Sequence, residues 1–112
     1  MKKLVATVVA VVAVASLVFA SVASAYLYTS TARQHTLSLV RSDCNQSSAC
    51  RYYGVAQCQR ISANRVDCRG FEENVTAAQG KYTCTAWFDW SQTYSGLRYH
   101  VEPTHCVRGW VY

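Results

Sequence analysis

Arg98, His100 and Glu102 stand two residues apart in the chain. On a β-strand that spacing puts all three side chains on one face. An arginine can hold a phosphate, and a histidine with a carboxylate can pass protons as acid and base. That is the residue set phosphodiester cleavage needs. His105 follows just beyond Pro103, so His100, Glu102 and His105 form an alternative metal-ligand set, although their spacing matches no common zinc pattern. The plainer expectation is that Arg98, His100 and Glu102 are the wet face of an amphipathic strand, with Leu97, Tyr99 and Val101 turned to the core. On that expectation the protein has no catalytic residues, no metal and no cofactor. His35 stands alone on a helical stretch and reads as a polar helix residue.

The aromatic residues suggest binding chemistry instead. Trp87, Phe88 and Trp90 fall within four residues. Strand alternation sends Trp87 to the face opposite Phe88 and Trp90, so one face shows large rings unless both are covered. An exposed Trp with neighbouring Tyr and Arg residues makes a binding surface for a protein, a glycan or a wall polymer. The competing expectation is that these rings fill a small core short of Leu and Ile. No nucleophile elbow, phosphate loop or dinucleotide fingerprint occurs in the chain.

The strongest signal is the cysteine set: Cys44, Cys50, Cys58, Cys68, Cys84 and Cys106. An even count in a short exported chain reads as three disulfides. No Cys-x-x-Cys occurs, which argues against zinc. Fifteen pairings are open to six cysteines. Cys58 and Cys68 are symmetric about Ala63, Cys84 and Cys106 about Ser95, and Cys44 with Cys50 would close a small loop. A competing set pairs Cys68 with Cys84, symmetric about Thr76.

Export is read from the first 25 residues. Met1-Lys2-Lys3 is a short positive start, Leu4 to Ala25 carries no charge, and Ala23-Ser24-Ala25 offers the small residues signal peptidase requires. The expectation is a bacterial-style signal peptide over 1–25 and a single secreted domain over 26–112. The uncharged run is long, so a membrane anchor retained over residues 4–25 is the alternative. Cleavage would take Lys2 and Lys3, leaving nine basic residues against six acidic ones, a net charge of +3 where the full chain has +5. Eight of those nine are scattered arginines, which reads as a solvated surface and not a nucleic-acid stripe. Asn45-Gln46-Ser47 and Asn74-Val75-Thr76 match the glycosylation triplet, which a bacterial leader makes irrelevant. With 112 residues in all, a repeat array or two-lobed enzyme is excluded.

The elements that must position these residues are one helix and a sheet. Thr29 or Ser30 can cap a helix over 29–42, with Arg33, Leu37, Val40 and Arg41 at helical spacing. Asp43 to Ala49 reads as a loop. Strands are expected over 52–61 and 65–71 around a turn at 62–64, then a loop over 72–80. Further strands follow over 81–90 and 97–102, and Pro103 should interrupt the ladder before a last edge strand over 106–112. The expected fold class is α+β: a short N-terminal helix packed on a 4–5-stranded antiparallel meander sheet with three disulfides.

The segment Cys58-Gln-Arg-Ile-Ser-Ala-Asn-Arg-Val-Asp-Cys68 resembles the hairpin of small, uncharacterised secreted actinobacterial proteins. These carry a cysteine, an Arg-x-Ser, an Arg-Val and a second cysteine at similar spacing. The resemblance covers about eleven residues and implies export and this fold, but no activity. The Cys44–Cys50 pair and the aromatic third strand depart from that group. Separately, the set Arg98, His100 and Glu102 is similar in residue types, chain size and fold class to small secreted microbial ribonucleases, none of whose longer motifs occurs here. The leading expectation is a monomeric, non-catalytic secreted module that binds an extracellular protein or a cell-envelope polymer, with Trp87 at its surface. It engages no specific nucleic acid, and no membrane once the leader is cleaved. The alternative is a ribonuclease-like hydrolase.

Overall fold

The computed structural model describes residues 25–112, so the leader expected over 1–25 lies outside the described residues except for Ala25. Helix α1 spans Thr29–Gln46. Its buried stripe is Ala32, Thr36, Val40 and Cys44, each one turn apart. Leu37 is only half-buried and Arg33 and Arg41 are exposed, so the stripe lies beside the one expected. Small residues on that stripe let the helix come close to the sheet. The N-cap is Tyr28, with no side-chain cap bond from Thr29 or Ser30. The helix entry is fixed from outside instead: Leu27 is buried, its N–H donates to the Ala63 carbonyl, and the Arg60 guanidinium donates to the Leu27 carbonyl. The helix also runs a full turn past residue 42. Ser42 to Asn45 have weak propensity, but Cys44 is buried and bonded to Cys50, which holds the last turn in place.

The strands are β1 (Cys50–Ser62), β2 (Arg65–Thr76), β3 (Gly80–Thr93), β4 (Gly96–Val101) and β5 (His105–Arg108). They form an antiparallel meander in the order β1-β2-β3-β4, with β5 also on β3. The fold is therefore α+β, a single helix on an antiparallel sheet. Its three disulfides are Cys44–Cys50, Cys58–Cys68 and Cys84–Cys106. The register explains why the Cys68–Cys84 pairing does not occur: Cys68 lies opposite Phe88, and Cys84 opposite Glu72.

β4 and β5 occupy one edge of β3 in succession. Val101 pairs with Phe88 and His105 with Thr85, so three residues, Glu102 to Thr104, oppose two, Ala86 and Trp87. This is a β-bulge. Pro103 has no N–H to give to the ladder, and Glu102 N–H donates to the Trp87 carbonyl beside it. The bulge shifts the register by one, so that Cys106 faces Cys84.

The core lies between α1 and the inner face of β1 to β3. Leu27, Ala32, Val40, Val66, Cys68, Phe88 and Trp90 make the buried cluster. Gly70 lies directly under the helix: a Cβ there would sit 2.6 Å from Val40 Cγ2 and 3.1 Å from Phe88 Cε1. Thr36 Oγ1 donates to the Ala32 carbonyl at 2.8 Å and accepts the buried Trp90 Nε1–H at 2.7 Å. Because α1 covers β1 and β2, Tyr99 and Val101 share the core's face yet stay largely exposed, contrary to the expectation that they would be covered.

The outer face is covered at one end by the C-terminal segment. Residues 109–112 turn back across β2 and β3 and are not the edge strand expected there. Gly109 N–H donates to the Lys81 carbonyl, Trp110 Nε1–H to Asn74 O and Tyr112 N–H to Glu73 Oε1, while the Tyr112 ring stacks on Phe71 at 4.5 Å. These contacts bury Glu73 and Asn74 and keep β2 extended to Thr76, through residues expected to form a loop.

Candidate functional site

The other end of the outer face is open. Alternation on β3 brings Trp87, Asp89 and Ser91 to it, and the β2 register sets Arg69, Asp67 and Arg65 opposite them in turn. On the far side, β4 sets His100 opposite Asp89 and Arg98 opposite Ser91. Asp67, Asp89 and His100 thus form a row across three strands. His100 Nδ1 is 3.5 Å from Asp89 Oδ2. Arg65, Asp89, Ser91, Arg98 and His100 line a shallow hollow with Tyr99 at its rim.

Burial raises the pKa of Asp67, and so does the adjacent Asp89 carboxylate, which shares a hydrogen bond with it. Arg65 pulls the other way and Glu102 adds to the rise. Asp67 Oδ1 and Arg69 Nε are buried and lack a hydrogen-bond partner. Both residues stand on the outer face of β2, two residues apart.

Trp87 belongs to this face. It lies outside the core cluster and is half-buried, with the Arg69 guanidinium 5.8 Å from its ring centre. Arg69 is also 5.7 Å from the Tyr112 ring, so it bridges the covered and open halves of the face. Of the expected catalytic set, Arg98 and His100 come together in the hollow. Glu102 sits at the bulge, and Asp89 takes the place beside His100. Asp67, Asp89, Arg65 and Arg69 were not singled out from the sequence, since only the β2–β3 register brings them to Trp87 and His100.

His100, Glu102 and His105 do not gather as metal ligands. Among the described residues the one close group of His, Cys, Asp or Glu is Cys44, Cys50 and Glu72, and its sulfurs are tied in a disulfide. His35 packs against Trp90 with ring centres 5.5 Å apart. Three disulfides fit an oxidising compartment, and among the described residues no helix is long and apolar enough to cross a membrane. No protein-family model, curated protein or solved structure matches the chain.

Proposed function

We propose that this is a secreted, non-catalytic module that binds a hydroxyl-rich polymer of the cell envelope through the open outer face around Trp87. The observation that carries the reading is a half-buried indole with the Arg69 guanidinium 5.8 Å from its ring centre, on the same face as the Asp67 and Asp89 carboxyls. Carboxylates accept and a guanidinium donates. A hydroxyl group does both, so a sugar ring lying on Trp87 has partners of both kinds beside it. The charges on this face are mixed: Arg65, Arg69 and Arg98 against Asp67, Asp89 and Glu102. That balance favours an uncharged polymer over a polyanion. The leader and the three disulfides support export.

Binding to purified envelope polysaccharide, read by co-sedimentation and calorimetry, tests the proposal. Trp87→Ala should weaken binding at least tenfold with an unchanged circular dichroism spectrum and melting temperature. Unchanged binding in the variant sinks the reading, and so does an unfolded variant, which would make the ring a packing residue.

A second reading is favoured by the 3.5 Å approach of His100 to Asp89 beside Arg98 and Arg65. There a ribonuclease-like hydrolase would use Asp89 and His100 to move protons and the arginines to hold phosphate. Incubation with RNA decides it. Cleavage abolished by His100→Ala supports the enzyme; no cleavage, or cleavage that the substitution leaves intact, rejects it.

A further inference from the structure

The inner face carries a second opening, independent of the Trp87 surface. Helix α1 ends its cover over β2, and a cleft of about 270 Å³ remains between the helix and the β3–β4 side of the sheet. Its walls are Leu39 and Val40 from α1, Ala86 and Phe88 from β3, and Tyr99 and Val101 from β4. Asp43 from α1 and Glu72 from β2 also line it. Among the described residues no Lys, Arg or His lines it. The chain has 11 basic residues and only six acidic ones, yet this cleft holds two acids and no base.

We propose that this cleft binds an amphiphilic cation, an ammonium group on an apolar stem such as a lysine side chain or an alkylamine, with the stem against Phe88, Tyr99 and Val101 and the charge between Asp43 and Glu72. An apolar stem replaces water on the exposed Val101 and Tyr99 surfaces, and the cation pairs with carboxylates held in a half-buried site.

Burial pushes the Glu72 carboxyl up to about 8, and the nearby Asp43 carboxylate adds to the rise. Beside Glu72 lie the Cys44–Cys50 disulfide, Tyr53, its partner on β1, and Cys84, its partner on β3, which is also held in a disulfide. Arg41 of α1 donates to the Tyr53 hydroxyl at 3.2 Å. At neutral pH the Glu72 carboxyl therefore keeps its proton. A bound ammonium displaces it: the proton leaves Glu72 for solvent, and the carboxylate left behind pairs with the cation.

Calorimetry with hexylammonium chloride tests this, since the amine keeps its charge up to about pH 10. The fraction of Glu72 ionised sets the apparent affinity, which should rise roughly twenty-fold between pH 6.5 and 8.5. Proton release should appear as a dependence of the measured heat on buffer ionisation enthalpy. Glu72→Gln should remove the pH dependence. Val101→Trp, at the exposed mouth of the cleft, should block binding without touching the carboxyls. Trp87→Ala should leave it unchanged. The proposal is overturned by no binding of millimolar hexylammonium at pH 8.5, by equal binding of hexan-1-ol, or by binding that survives Val101→Trp.

Discussion

Adding one methyl group at Gly70 tests whether helix α1 is seated on the sheet as described. A Cβ at this position would lie 2.6 Å from Val40 Cγ2, closer than any relaxed carbon contact, and 3.1 Å from Phe88 Cε1. Val40 is buried on the helix and Phe88 lies in the core cluster, so neither is a free side-chain end that can swing away. Gly70→Ala should therefore lift the helix or force strained rotamers, at a cost of about 1–3 kcal/mol. In a domain of this size each kcal/mol moves the melting temperature by roughly 4–8 °C. Val40→Ala alone removes buried methyl groups and should cost about 2 kcal/mol. The double variant decides the matter, because the new methyl at 70 would occupy the space vacated at 40. Its loss should be about 2 kcal/mol, well short of the roughly 4 kcal/mol that independent sites would add up to. Urea unfolding of the four proteins, with disulfides intact, measures the cycle. Additive losses within about 0.5 kcal/mol would show that Val40 and Gly70 are not in contact and would refute this seating of the helix.

Thr36→Val should cost about 1–3 kcal/mol, because the buried Trp90 Nε1–H loses its acceptor; a smaller loss in urea unfolding would mean that the indole finds another partner. Stability should also depend on pH through Glu72. The folded carboxyl, raised to about 8, keeps its proton where the unfolded one has lost it, so stability falls as pH rises from about 4.5 to about 8. With the half-buried position and solvent screening taken into account, the fall should be ~1–2 kcal/mol, and Glu72→Gln should flatten it in a pH series of thermal melts. Replacing Cys84 and Cys106 together by Ala should cost about 2–4 kcal/mol and speed proteolysis within 103–112, because this bridge ties β5 and the C-terminal cover to β3. Resistance equal to the parent's would mean that the contacts of Trp110 and Tyr112 hold the segment without it.

The strands were legible because the cysteines and turns punctuate them. The turn at 62–64 between two alternating segments placed the first hairpin and with it the Cys58–Cys68 pairing, and the alternation in 81–90 correctly separated Phe88 and Trp90 from Trp87. What could not be read locally depends on distant partners. Glu72 to Thr76 look like a loop until Trp110 and Tyr112, more than thirty residues away, bond to Asn74 and Glu73. Residues 43–46 look unfit for a helix until Cys44 is fixed to Cys50. The candidate site shows the same division. Arg98 and His100 share a face by simple alternation, whereas Asp67 and Asp89 join them only through the register between β2 and β3, which no turn residue specifies. The exposure of Tyr99 and Val101 depends on how far the helix reaches across the sheet, which strand alternation does not encode.

The bulge at Pro103 makes the length of the chain between Leu97 and His105 a matter of parity. Before it, odd-numbered residues face the helix side; after it, even-numbered ones do. A ladder that ran straight past Val101 with the chain length unchanged would bring His105 to the place opposite Cys84 and send Cys106 to the other side of the sheet. Two unpaired thiols would then stand on opposite faces in a compartment that oxidises them, open to mispairing between chains. Losing the bulge at constant length would thus act as a covalent assembly defect, visible as disulfide-linked dimers on a non-reducing gel, whereas deleting one of the three bulged residues along with it sets two residues against two and keeps Cys106 opposite Cys84.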